Sequence, residues 1–238
     1  MTREVWIFGD SYADRDQDNG SKLSWPLQLE KNFNIKNFAK CGTGPNLQFK
    51  AMLKQIDMCK DTSNVSIIFL ISDINRHNFS FLKSESHSTY MVNVINDDAG
   101  IDKASRSLIK EYRKKYGNFI KSFFREYWLY NDLGDLEFLK FIGILKNFSP
   151  MFEKVLAINI FEDIDDNNHH YHKIKKSISS DNFHFANGTR LFMYEKMFNT
   201  YEPNHMCQTN HNIMYNELSN WINNSINLDL NKLKKINK

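Results

Sequence analysis

The stretch Val65-Ser-Ile-Ile-Phe-Leu-Ile71 predicts a β-strand that is buried on both faces. It is apolar at almost every position and lacks the alternation of polar and apolar residues that is typical of a strand with one solvated face. Strands of this kind occur in the interior of parallel sheets, because helices cover both faces there. We therefore expect a parallel sheet with this strand near its middle.

Shorter apolar runs and helical patterns alternate on either side of this strand. Further strands are expected at residues 5–8, 35–38 and 155–160. Apolar residues at helical spacing predict helices over residues 25–32, 45–58, 103–130, 132–148 and 210–226. Residues 163–187 are polar and predict a surface excursion. The alternation predicts an α/β fold, a three-layer α/β/α sandwich with a mostly parallel, flavodoxin-like central sheet.

The chain of 238 residues is expected to form a single domain. This domain spans residues 1–227 and includes an inserted helical segment at about residues 80–148. Residues 228–238 follow as a basic C-terminal tail that is rich in Lys. In a sheet of this type, the loops at the carboxyl ends of the strands form the expected site.

The composition argues against several classes of protein. Hydrophobic residues make up 41% of the chain and charged residues 25%, which is typical of a folded protein rather than a disordered one. The net charge of +3 is too small to indicate a nucleic-acid partner. The three cysteines form no CxxC pair, which argues against a disulfide framework or a zinc site. No signal peptide or transmembrane stretch is visible, so we expect cytoplasmic synthesis and no membrane partner.

The first candidate for chemistry is Ser11, in the tripeptide Gly9-Asp10-Ser11 that directly follows the first strand. A serine on a tight turn at this edge of a sheet exposes its hydroxyl, and the backbone N–H groups beside it can bind an oxyanion. We expect Asp10 to hold this turn. Alone, such a tripeptide is also typical of an ordinary turn or helix cap.

The second candidate is His205, in the segment Glu202-Pro-Asn-His205 near the other end of the chain. A serine nucleophile needs a base to take its proton, and that base needs an acid that fixes its tautomer. An acid shortly before a histidine on a turn can meet this need. Taken alone, such a pair is also common at protein surfaces.

Together these segments resemble the SGNH (GDSL-like) hydrolase family, from residue 5 to about residue 222. Asn37-Phe-Ala-Lys-Cys-Gly42 is similar to the second sequence block of that family, and Ile71-Ser-Asp-Ile-Asn75-Arg76 stands in the place of the third. The resemblance implies a serine esterase that needs no metal and no other cofactor. It implies the catalytic residues Ser11, His205 and Glu202, and an oxyanion hole of Ser11, Gly42 and Asn75.

The chain departs from the family's pattern in two of these positions. The third block is not Gly-x-Asn-Asp, and Asn75 is offset by one residue, so Ser72 or Arg76 could occupy that space instead. An oxyanion hole that lacks one donor loses about 3 kcal/mol of transition-state stabilisation, or roughly a hundredfold in rate. Glu202 stands where the family usually has Asp and is longer by one methylene.

Other features of the sequence have simpler structural interpretations, which we favour. The histidines of His169-His170-x-His172 lack a partner on a rigid element, which favours a surface loop over a zinc site. Aromatic and basic residues at 112–130 favour core packing and a solvated helix face over a nucleic-acid platform. Cys207 is expected in the core, and His211 is expected to pack or to lie at the surface.

The family resemblance implies hydrolysis of a small-molecule or glycan ester, with a small acyl group such as an O-acetyl on a carbohydrate. Two alternatives stay open: a catalytically degenerate module that binds a glycan or a protein, and a thioesterase. The compact sequence, rich in Lys, Asn and Ile, is also similar to viral or phage-associated members of the family. That similarity implies release or particle association after cytoplasmic synthesis.

Overall fold

The computed structural model describes residues 3–14, 23–40, 43–72, 74, 76–77, 89–90, 118–119, 122, 133–159, 180–187, 208–224 and 228–230. The strands in these ranges are β1 (Glu4–Phe8), β2 (Asn34–Asn37), β3 (Val65–Ile71), β4 (Arg76–His77), β5 (Thr89–Tyr90), β6 (Lys154–Asn159) and β7 (Phe183–Asn187). The principal helices are α1 (Trp25–Leu29), α2 (Pro45–Met58), α3 (Leu133–Phe148) and α4 (Gln208–Asn224).

Five strands form one parallel sheet in the order β2-β1-β3-β6-β7, while β4 and β5 form a short antiparallel pair. Counted along the chain, the five-stranded sheet has the flavodoxin-like order 2-1-3-4-5. The chain steps from β1 to β2 in one direction, and then from β2 past β1 to β3 and β6 in the other. Right-handed crossovers therefore place α1 on one face of the sheet and α2 and α3 on the opposite face.

Two separate apolar cores show this layering. On one face, Ile68 and Leu70 of β3 belong to a core that includes residues of α1 and α4. On the other face, Ile67 and Phe69 belong to a core that includes residues of α2 and α3. Every residue of β3 is buried, as expected for a strand covered on both sides. The predicted central strand and the three-layer α/β/α sandwich are confirmed.

The prediction of a surface excursion over residues 163–187 is wrong for its last part. Phe183–Asn187 form β7, which pairs in parallel with β6 at the edge of the sheet. Phe183 is fully buried, and Phe185 packs beside it on the face that α3 covers. The strand was missed because its two phenylalanines alternate with polar or small residues and follow a long polar stretch.

Residues 133–148 fall within the segment expected as a helical insertion, and they form α3. Phe138, Phe141, Ile142 and Leu145 of this helix are buried in the core beside β3 and β6. The helix is therefore part of the covering layer between two neighbouring strands. Within the described ranges, no helix is long and apolar enough to cross a membrane.

Candidate active site

The candidate site lies at the carboxyl edge of the sheet, where β1 and β3 are neighbours. The chain leaves β1 toward β2 on one side and later returns to β3 on the other side, so this is the topological switch point of the sheet. In open α/β sheets, ligands bind in the crevice at such a point. Asp10 and Ser11 follow β1 here, and Ser72 follows β3.

Asp10 organises the turn after β1 and is completely buried. Its Oδ1 accepts a hydrogen bond from the backbone N–H of Tyr12 at 3.1 Å. Its backbone carbonyl accepts two more, from the N–H groups of Ala13 at 3.0 Å and Asp14 at 2.9 Å. This is the pattern of a helical first turn with an acidic cap. Asp10 thus holds the turn on which Ser11 stands.

The same carboxylate also joins the two central strands. The Ser72 hydroxyl donates to Asp10 Oδ2 at 3.1 Å, and both side chains are buried. The sequence allows Ser72 as a substitute for Asn75 in the oxyanion hole. In the structure its hydroxyl is engaged with Asp10 instead. The sequence signal that points to a structural role for Ser72 is its position as a polar residue directly after a strand that is apolar on both faces.

Gly9 is required where it stands because the chain passes too closely for any side chain. A Cβ atom at this position would lie 2.8 Å from Ala13 Cβ and 3.1 Å from Leu70 Cβ. The carbonyl of Gly9 accepts hydrogen bonds from the Lys40 N–H at 3.0 Å and the Thr43 hydroxyl at 3.2 Å. The loop after β2 is therefore hydrogen-bonded to Gly9, which begins the Ser11 turn.

Asn37 makes a second connection between the end of β2 and the turn. Its Nδ2 donates to the carbonyl of Ala13 at 2.8 Å, and its Oδ1 accepts from the N–H of Ala39 at 2.9 Å. The sequence marked Asn37 only as the start of the segment that ends at Gly42. The structure gives it a part in fixing the Ser11 turn.

On the far side of the turn, Trp25 connects it to two helices. The indole Nε1–H donates to the carbonyl of Tyr12 at 2.9 Å. The backbone N–H of Trp25, at the start of α1, donates to Nδ1 of His211 in α4 at 3.2 Å. His211 is buried, so it belongs to the packing between α1 and α4. The sequence left a packing role and a surface role open for His211, and the structure shows the packing role.

Ser11 itself is partly buried, and it is the one predicted site residue that the described ranges include. Within them, neither its hydroxyl nor its backbone N–H has a hydrogen-bond partner. Gly42, Asn75, Glu202 and His205 lie outside the described residues. So do Cys207 and residues 169–172, while α4 begins shortly after His205, at Gln208.

A shallow cleft opens between the N-terminal end of α2 and the facing side of α3. Ile74 and Phe141 give it apolar walls, and Asn46 gives it a polar one. Glu137 and Lys140 line it as well, and they form an ion pair at 2.7 Å. Among the described residues, no group of three His, Cys, Asp or Glu side chains could hold a metal ion.

Gln48 is a polar residue that the sequence did not single out. It lies on the buried face of α2 with Pro45 and Met52. In the part of the chain that the structure describes, neither Oε1 nor Nε2 of its carboxamide has a hydrogen-bond partner. Leaving a buried polar group unpaired costs about 1–3 kcal/mol. The signal that could have found it is a glutamine among the apolar positions of an amphipathic helix.

No protein-family model matches this chain, and none of the curated proteins with which it was compared matches it either.

Proposed function

We propose that this chain is a serine esterase of the SGNH type, which hydrolyses an ester of a small acyl group such as an O-acetyl on a carbohydrate. The observation that supports the proposal best is the position of Ser11. It stands at the topological switch point, on a turn capped by Asp10, with its hydroxyl and N–H free of described partners. A nucleophile that also supplies an oxyanion donor needs this arrangement.

The proposed reaction is acyl transfer in two steps. His205 takes the proton of the Ser11 hydroxyl while Ser11 Oγ attacks the ester carbonyl, and the N–H groups of Ser11 and Gly42, with Asn75, bind the oxyanion. The C–O bond to the leaving alcohol then breaks, and His205 returns the proton to that alcohol. Water, deprotonated by His205, then attacks the acyl-enzyme and releases the acid and free Ser11. Glu202 orients His205.

The buried contacts around the turn support this role for Ser11. Asp10 bonds to Ser72, the Thr43 hydroxyl bonds to Gly9, and the Trp25 indole bonds to Tyr12. Each contact fixes the backbone within two residues of Ser11. A nucleophile held by several elements stays in the geometry that the reaction requires, since a misplacement of about 1 Å can cost a hundredfold in rate.

The test is hydrolysis of p-nitrophenyl acetate by the wild-type protein and by the Ser11→Ala and His205→Ala variants. We expect the wild type to turn over and both variants to fall to the rate of the uncatalysed reaction, with circular dichroism spectra that are unchanged. Ser63→Ala is the control, because Ser63 is exposed and precedes β3 at the opposite edge of the sheet. A folded Ser11→Ala variant that is as active as the wild type would overturn the proposal.

A further inference from the structure

The segment between β2 and α2, residues 38–44, is bonded to the Ser11 turn at the first residue of that turn. The carbonyl of Gly9 accepts hydrogen bonds from the Lys40 N–H at 3.0 Å and from the Thr43 hydroxyl at 3.2 Å. Thr43 is buried, so this contact is shielded from water. The segment therefore holds the turn on the side that precedes Ser11.

Asn37, the last residue of β2, holds the side of the turn that follows Ser11. Its Nδ2 donates to the carbonyl of Ala13 at 2.8 Å, and Ala13 is completely buried. Its Oδ1 accepts from the N–H of Ala39 at 2.9 Å, which closes a local turn at the start of the next segment. One carboxamide is thus bonded to the backbones of two different segments, through its donor and its acceptor.

These two segments carry the two backbone donors that the proposed function assigns to the oxyanion. Ser11 lies on the turn, and Gly42 directly precedes Thr43 in the segment between β2 and α2. Two donors act on one oxyanion only when each lies about 3 Å from the position that the oxygen takes in the transition state. The distance between the segments must therefore be fixed, and the Asn37 carboxamide is bonded to both.

We propose that Asn37 is a positioning residue of the oxyanion hole, which fixes the segment between β2 and α2 against the Ser11 turn. This inference rests on the proposed esterase function and adds a residue that acts on the transition state without touching the substrate. When the Asn37 carboxamide is removed, the turn is still bonded to the segment at Gly9 but is released at Ala13. The Ser11 N–H then points away from the direction that the oxyanion requires.

The test uses two esters that differ in one atom, p-nitrophenyl acetate and the thionoester in which sulfur replaces its carbonyl oxygen. With the thionoester, Ser11 Oγ attacks the same carbon, and the electron pair of the C=S bond moves to sulfur. Sulfur is a weaker hydrogen-bond acceptor than oxygen, so an aligned oxyanion hole favours the oxygen ester. The ratio of kcat/KM for the oxygen ester to kcat/KM for the thionoester therefore measures this alignment. Both esters report on the same active molecules, so the ratio does not depend on the folded fraction.

We expect this ratio to fall about tenfold in Asn37→Ala and in Asn37→Ser, because the donors are misaligned rather than removed. The kcat for p-nitrophenyl acetate should fall while KM changes little, since the lost interaction belongs to the transition state. Asn37→Ser separates the two hydrogen bonds of the carboxamide. Its hydroxyl can still accept from the Ala39 N–H, but the side chain has no second polar atom for the Ala13 carbonyl.

Asn34→Ala is the matched control, because Asn34 is exposed and lies at the opposite end of the same strand. Its ratio should equal that of the wild type. A wild-type ratio in Asn37→Ser would mean that only the local turn matters, and this overturns the inference. A loss of rate that is equal for both esters overturns it as well, because Asn37 would then serve the fold alone.

The outcomes separate this inference from the function on which it depends. If Ser11→Ala abolishes hydrolysis of both esters and Asn37→Ser keeps the wild-type ratio, the esterase stands and the role of Asn37 fails. If the wild type is no faster than Ser11→Ala with either ester, the esterase function fails and the inference fails with it.

Discussion

At the scale of single residues, Gly9 and Gly143 show how differently two glycines are used. A Cβ at Gly9 would lie 2.8 Å from Ala13 Cβ, and this neighbour has no flexible end that could move away. A Cβ at Gly143, within α3, would meet nothing within 4 Å. The first glycine permits a close approach of two chain segments, whereas the second only weakens a helix.

We therefore expect opposite effects from the same substitution. Gly9→Ala should lower the free energy of unfolding by about 1–3 kcal/mol through overpacking, and should reduce the proposed esterase activity by displacing Ser11. Gly143→Ala should raise the free energy of unfolding by about 0.5–1 kcal/mol, because alanine is the better helix former. Urea unfolding of both variants measures the two effects. A Gly9→Ala protein with wild-type stability would mean that the turn is looser than its contacts indicate.

Asp10 is the residue on which the turn depends most, and Ser72 is its partner across the two strands. Ser72→Ala removes one hydrogen bond to a carboxylate, which is worth about 1.5–3 kcal/mol. We expect a loss of stability in this range and a lower kcat for p-nitrophenyl acetate, with KM little changed. Ser72→Thr, which retains the hydroxyl, should recover part of both losses. Equal behaviour of the two variants would rule out the hydrogen bond as the cause.

At the scale of elements, two buried tryptophans differ in one respect that can be measured. Trp25 and Trp221 are both fully buried in the same core. The indole N–H of Trp25 donates to the Tyr12 carbonyl at 2.9 Å, whereas within the described part of the chain the indole N–H of Trp221 has no partner. Trp25 thus connects α1 to the Ser11 turn, and Trp221 contributes packing to α4.

Replacing either tryptophan by phenylalanine removes the same side-chain volume. Only the replacement of Trp25 also removes a hydrogen bond. We expect Trp25→Phe to lower the free energy of unfolding by about 1–3 kcal/mol more than Trp221→Phe. Trp25→Phe should also reduce the proposed esterase activity, since it removes the hydrogen bond that holds one side of the Ser11 turn. Urea unfolding and p-nitrophenyl acetate hydrolysis of the two variants give the comparison. A larger loss in Trp221→Phe would contradict this assignment of roles.

The elements that the sequence predicted well are those whose pattern arises from burial alone. Val65–Ile71 has the predicted bounds, because a strand covered on both faces is apolar along its whole length. The edge strand Phe183–Asn187 was missed, since its apolar alternation is short and follows a long polar stretch. Helix α1 ends at Leu29, earlier than its apolar spacing suggested, because residues 30–33 form a turn.

The same distinction applies to the candidate site. The position of Ser11 could be predicted, because a short polar motif after a buried strand falls at the carboxyl edge of a parallel sheet. The partners Ser72, Asn37 and Trp25 could not, since their hydrogen bonds join residues that are distant in sequence. Such contacts depend on the order of the strands, and that order is a property of the assembled sheet.

At the scale of the whole molecule, the end of α4 is held by two cations from distant parts of the chain. Lys154 of β6 donates to the carbonyls of Trp221 at 2.7 Å and Ile222 at 2.8 Å, and its Nζ lies 4.7 Å from the centre of the Trp221 ring. Arg3, which precedes β1, also donates to Ile222 and to Asn223 at 3.1 Å. The last carbonyls of a helix attract positive charge. These contacts fix the helix that begins just after His205.

Lys154 is buried, so this attachment makes stability depend on pH. Burial, reinforced by the nearby Arg3 and opposed by Glu153, lowers the pKa of Lys154 below its ordinary value of 10.5. Between the pKa of the folded protein and 10.5, the unfolded chain holds more protons on this side chain than the folded one does. The free energy of unfolding therefore rises with pH across this window, and the gain is complete above 10.5 and lost as pH falls through the folded pKa.

Lys154→Met provides the reference for measuring this dependence, because it has no titrating group at the position. We expect wild-type stability, measured relative to Lys154→Met by urea unfolding, to be flat near neutral pH and to increase as the pH approaches 10.5. Lys140→Met serves as a control for the loss of a lysine, since Lys140 is exposed on α3. A difference that falls with pH would mean that contacts with the helix carbonyls outweigh the cost of burial. The folded protein would then hold the Lys154 proton more tightly than the unfolded chain. The charge of Lys154 would in that case stabilise the attachment of α4 to β6.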